Sequence, residues 1–137
     1  MREWSSDMRL GINVLDLDHK QLVTLLSLLE DALPLMPSDM ADMLLDRLQR
    51  ETHEHFQREE DLLLMYRPPG LEDHLRDHHT FNAILGDLGA AVARADMHSA
   101  VEAITECRLL FRERLLPADA ALVEYFTATV GTAGRGA

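Results

Sequence analysis

Ionisable side chains stand on the apolar stripes of this chain, so any fold that buries the stripes must also accept charges in its interior. Leu22, Val23, Leu26, Leu29 and Leu33 recur at helical spacing after Asp16, a good N-cap, until Pro34 and Pro37 interrupt them. That spacing predicts a first helix over 16–33. Ser38 or Asp39 caps a second, whose stripe reads Leu44, Leu48, Thr52, His55, Glu59, Leu62 and Tyr66 before Pro68-Pro69-Gly70. A third begins near Leu71 and presents Leu71, His74, His78, Phe81, Leu85, Leu88 and Val92, up to the Ala95-Asp96 region. The fourth begins near Ser99 and presents Val101, Ile104, Cys107, Leu110, Phe111, Arg114 and Leu115. Pro117 is expected to stop it, leaving a short amphipathic helix with Leu122, Val123 and Phe126 and then a Gly-rich tail.

Helices of this length with one apolar face and short connections pack as antiparallel neighbours. The expected fold is therefore all-α, an up-down four-helix bundle with an N-terminal arm over 1–15, a short C-terminal helix and a frayed tail over 131–137. The 137 residues make a single domain, and 47% hydrophobic residues supply its core. Thirteen Lys+Arg against 24 Asp+Glu give a net charge of −11, without the basic footprint that nucleic acid or anionic membranes require. No apolar run reaches the length of a membrane span or an export signal, which leads us to expect a cytoplasmic monomer or weak oligomer. The single cysteine, Cys107, excludes an internal disulfide and a Cys-cluster zinc site, which leaves seven histidines as the soft ligands.

Burial of an ionisable group on a bundle's inner stripe is costly unless a partner or a metal compensates. His55 and Glu59 are one helical turn apart, as are His74 and His78, so each pair projects from one face of its helix. Asp18-His19 opens the first helix, and Asp119 follows the fourth. Imidazoles and carboxylates converging in a bundle core suit iron, zinc or manganese, and two carboxylates able to bridge favour a two-metal centre. The pairs are histidine-rich and spaced i, i+4, unlike the Glu-x-x-His pairs of ferritin-like carboxylate bundles. His53 and His79 point about 200° and 100° away from their neighbours His55 and His78, and with His98 they are read as solvated. Glu60 turns about 100° from Glu59, onto a solvated face. Cys107, Met43, Leu44 and Leu62 are read as core, the last three also as possible lining of a dry ligand pocket, while Trp4 packs the arm across the bundle end.

Taken in order, these pieces resemble the hemerythrins, in particular the bacterial single-domain members with an HHE-type metal-binding domain. The likeness runs from Trp4 to about Phe126, through Leu10-Gly11-Ile12, Leu15-Asp16-Leu17-Asp18-His19, His55-Phe56-Gln57-Arg58-Glu59-Glu60, His74 with His78 and Phe81, and Leu115 with Asp119. It implies a carboxylate-bridged non-haem centre of two iron ions. By the same resemblance His19 and His55 bind one iron, His74 and His78 bind the other, and Glu59 and Asp119 bridge them. The implied function is binding of O2 or a related small ligand, such as another diatomic or peroxide, for carriage, storage or sensing. It implies an oxygen-binding protein more than an enzyme.

The chain departs from the family pattern at Arg114, where the family has a histidine five residues before the bridging aspartate. Arginine is always cationic and is not a usual metal ligand. Three readings follow. The second iron keeps an open position next to an arginine in the ligand pocket, which opens a peroxidase-like or oxidase-like alternative. A single metal binds. Or Arg114 neutralises Glu59 or Asp119 in a metal-poor signalling or interaction module. Asp119 also has a plainer reading, as the N-cap of the short terminal helix.

Overall fold

The computed structural model describes Trp4 and residues 13–135, with the side chains of Trp4 and residues 15–128. Leu10-Gly11-Ile12, most of the arm over 1–15 and the last two residues of the tail lie outside them. Helix α1 (Asn13–Ala32) tightens into a 3-10 turn at Leu33–Leu35, where Pro34 ends the regular ladder. Helix α2 (Asp39–Tyr66) starts at Ser38, whose Oγ accepts from the Ala41 backbone N–H at 3.0 Å. After the Pro-Pro-Gly turn, where Gly70 takes a positive φ of 82°, α3 runs over Leu71–Ala93. Helix α4 (Met97–Leu110) is capped by Asp96, which accepts from the Ser99 N–H at 3.2 Å. It continues without a break through a π turn at Phe111–Leu115 into α5 (Leu116–Arg135).

Each helix packs on its sequence neighbour, and α4 closes the ring against α1, which is the up-down four-helix arrangement. One core runs through it: Leu22, Leu26 and Leu29 from α1, Leu48 and Phe56 from α2, Phe81 and Leu88 from α3, Ile104 and Phe111 from the fourth element. Ala91, Ala100 and Ala103, all buried, let α3 and α4 approach closely. Trp4 packs against this core. Among the described residues no helix is long and apolar enough to cross a membrane.

The structure corrects the sequence reading in three places. Met43 and Val101 were expected inside, but they are 58% and 39% exposed. The inner stripe of α2 begins at Ala41 and Leu45, and that of α4 holds Ala100, Ala103 and Ile104, so each expected residue is out of phase with its own face. Leu44 and Leu62 are half-buried. Third, Pro117 does not stop the fourth helix. In a regular helix its ring would strike the carbonyl of the residue four before it. Here the preceding turn is wide, with the Leu116 N–H reaching back to the Phe111 carbonyl, and the helix carries on. The piece expected as short is therefore the 20-residue continuation α5.

Candidate metal centre

Four imidazoles and two carboxylates meet inside the bundle, toward the α2–α3 turn. α1 supplies His19, α2 supplies His55 and Glu59, α3 supplies His74 and His78, and α5 supplies Asp119. All six are buried, and they divide into two groups, His19–His55–Glu59–Asp119 and Glu59–His74–His78–Asp119. Within each group one ligand atom per residue lies within 4.8 Å of the others, and Glu59 and Asp119 belong to both. Each group contains one edge-to-face imidazole pair, His19 on His55 with ring centroids 5.0 Å apart and His74 on His78 at 4.8 Å.

The π turn places Asp119. Along the fourth helix Cys107, Phe111, Leu115 and Asp119 are all buried at successive four-residue steps. At 3.6 residues per turn that recurrence drifts by about 40° each time. The wide turn at Phe111–Leu115 absorbs the drift and keeps Asp119 on the inner face. Asp119 is therefore not the N-cap of a separate helix, since α5 is already under way at Leu116.

The outward-facing ring nitrogens of two of these imidazoles are held by carboxylates. His55 Nδ1 donates to Asp18 Oδ2 at 3.0 Å, and Asp18 is itself clamped by Arg58 Nη2 at 2.7 Å. His78 Nδ1 donates to Glu60 Oε2 at 3.0 Å. A carboxylate only accepts, so these contacts place the proton on Nδ1 and leave Nε2 as the free ligand atom facing the centre. Those Nε2 atoms face carboxylates again: His55 lies 3.1 Å and His78 3.3 Å from Glu59 Oε2, and His74 lies 2.9 Å from Asp119 Oδ1. His19 Nε2 bonds Asp119 Oδ2 at 2.7 Å.

Lone pairs facing lone pairs at such distances repel unless a cation lies between them. Both oxygens of Glu59, Asp119 Oδ1, and Nε2 of His74 and of His78 are buried without a hydrogen-bond partner. Buried polar atoms are seldom left so, and their concentration here is what a metal site looks like without its ion. Protons are the alternative counter-charge. Burial works to lower the His55 pKa, but the Asp119, Asp18 and Glu59 carboxylates outweigh it and raise it from 6.5 to about 11. His74 is raised on the same balance, chiefly by Asp119. Burial works to raise Asp119, yet Glu59 and the His19, His55 and His74 imidazoles beside it hold it well below the usual carboxylate range. Nitrogen and oxygen donors in this ratio suit iron, zinc or manganese, so the residues fit a metal.

Aromatic rings pack directly on two of the imidazoles. Phe56 stacks on His78, with centroids 3.9 Å apart and ring planes 5° from parallel, and Phe111 meets His19 edge-on at 5.3 Å. His53, His79 and His98 are exposed and outside both groups. Cys107 is buried, belongs to neither donor group, and burial pushes its thiol up to about 12, an inert core residue.

Arg114 does not occupy the inner stripe. Its side chain is 57% exposed and pairs with Asp77, Nη2 to Oδ1 at 3.2 Å, rather than with Glu59 or Asp119. The π turn that brings Leu115 and Asp119 inward carries Arg114 to the rim. Glu60 is likewise not simply solvated, since it holds His78. Asp18, Arg58, Glu60 and Asp77 are the contributors that sequence reasoning left without a role. Their pattern was available in part: a residue one position from a ligand points about 100° away, toward the neighbouring helix, where the far side of an imidazole can meet it.

The family model described as hemerythrin HHE cation binding domain matches residues 10–125. No curated protein and no solved structure matches the chain.

Proposed function

From its membership of the hemerythrin HHE cation-binding family, we propose that this chain holds two iron ions and binds O2 or a related small ligand for carriage, storage or sensing. The observation that carries the reading is the pairing of two donor groups through shared Glu59 and Asp119, with unpartnered buried atoms facing inward. His19 and His55 would hold one ion, His74 and His78 the other, with both carboxylates spanning them. When bound, a ferrous pair supplies reducing electrons and a coordination position for a small ligand.

The protein's own residues do the rest. Asp18 and Glu60 fix the orientation of His55 and His78, accept hydrogen bonds from their Nδ1–H groups and raise the basicity of the Nε2 atoms that face the centre. Glu59 and Asp119 are buried, so the carboxylates act in a medium where their charge is weakly screened. A cavity of about 210 Å³ reaches Glu59 and is lined by Leu15, Leu62, Leu122, Val123 and Phe126 together with the Asp18–Arg58 pair. Its mostly apolar wall suits a neutral diatomic molecule. A cytoplasmic location is part of the same proposal.

Anaerobic titration with ferrous iron tests the reading. We expect about two ions per chain, as two donor groups require, and a new visible absorption band when air is admitted. Absence of tightly held metal would refute it.

A further inference from the structure

A buried metal centre needs a path by which the ion arrives. The cavity beside Glu59 is a poor one, because its outer carboxylate, Asp18, is already held by Arg58 and His55, and the remaining wall apart from Glu59 is apolar. A second cavity, of about 310 Å³, opens between the α2–α3 turn and α5 and is lined by Asp73, His74, Asp77, Ala118, Ala121 and Tyr125. The order of its polar groups is informative. Asp73 is 68% exposed and carries an exposed ion pair with Arg76 at 2.8 Å, Asp77 lies one helical turn further along α3 and is buried, and His74 is 5% exposed with Nε2 unpartnered. Ala118 and Ala121 leave the space open on the α5 side.

Arg114 is fastened to this cavity's inner carboxylate, with Nε 3.4 Å and Nη2 3.2 Å from Asp77. The geometry points to a cation port: divalent metal reaches the His74–His78 group through this cavity, and the Arg114–Asp77 pair is the latch that it must displace. The inference rests on the metal-centre reading above. Arg114 repels an arriving cation and occupies the carboxylate that would take up the ion's first lost water. Its exposed side chain can swing into solvent without disturbing the core. The latch slows passage in both directions, while its effect on the final equilibrium is only that of one remote charge.

That difference defines the test. Metal-free full-length protein is titrated with Co2+ alone for stoichiometry and affinity. Loading is then followed by stopped-flow absorption, and stripping by excess chelator. Arg114→Gln should raise both the loading and stripping rates, by about tenfold for the removal of a cation from a focusing cleft, with their ratio nearly unchanged. Arg112→Gln removes the same charge from an exposed position on the same π turn and should leave both rates as they were. Ala121→Leu narrows the cavity at an exposed position and should slow both. If metal binds normally but neither Arg114→Gln nor Ala121→Leu alters the rates, the port is refuted and the metal centre stands. If Arg114→Gln shifts affinity through only one of the two rates, the latch is refuted. If the unaltered protein takes up no metal, the reading beneath it falls first.

Discussion

Metal removal should change the stability of this bundle in a stepwise manner that the site's geometry dictates. A ligand that binds only the folded state at 100 times its Kd stabilises it by about 2.7 kcal/mol. For a domain between the small and large size classes, each kcal/mol moves Tm by about 4 °C. One filled donor group is then worth about 10 °C and two about 20 °C. His19 belongs to one group only, whereas Asp119 belongs to both. His19→Ala should therefore retain roughly half of the metal-dependent shift, and Asp119→Asn should lose most of it. His98→Ala alters an exposed histidine paired with Glu102 and should keep the full shift. The assay is thermal denaturation of metal-loaded and chelated samples, with bound metal quantified in parallel. If His19→Ala abolishes the whole increment, the two groups are a single mononuclear site and the division is wrong. If chelated and loaded samples melt together while metal is bound, the ion does not sit among these residues.

Other consequences follow from the same contacts. Asp18→Asn and Glu60→Gln remove the carboxylates behind His55 and His78, and each should weaken metal affinity by about 10- to 100-fold, measured by competition with a chromophoric chelator. Leu88→Ala leaves a cavity in a fully buried part of the core and should cost about 2–5 kcal/mol in urea unfolding with no change in metal stoichiometry. Asp96→Ala removes the α4 cap. The folded-state pKa of Asp96 is depressed below 3.8 by its bonds to Ser99, so its contribution is present above that value and lost as pH falls through the lower folded-state pKa. The melting difference between the two proteins should be steady near neutrality and close below about pH 3.8.

The clustering of the six donor residues and the bundle were legible in the sequence because both are expressed in helical phase. His55 with Glu59 and His74 with His78 lie one turn apart on stripes that also carry Leu48, Phe81 and Leu88, so the periodicity that predicts the core also predicts what shares it. Met43 and Val101 were misplaced for a local reason. Runs such as Met43-Leu44-Leu45 offer apolar residues at adjacent phases, and only the packing partner decides which faces inward. The roles of Asp18, Glu60 and Asp77 are a separate matter. Each meets a residue from another helix, His55, His78 and Arg114 respectively, and no spacing within one helix encodes that meeting.

The fourth helix shows how one local irregularity sets both the centre and its surroundings. Without a wide turn, Cys107, Phe111, Leu115 and Asp119 would spiral away from a common face, by about 120° over their span. Asp119 would then leave the donor groups, and Pro117 would clash with the carbonyl four residues back. The π turn resolves both conflicts at Phe111–Leu115, since it lengthens the reach-back by one residue and resets the phase. Arg114 lies inside that turn, and its displacement to Asp77 is part of the same geometry that delivers Asp119 inward. An arginine is tolerable at the position because the turn directs it to the rim, where its charge is solvated and paired rather than buried among the donor groups. The sequence shows the substitution as a lost ligand, whereas the fold shows an exposed cation fastened beside the acidic cavity that leads to His74.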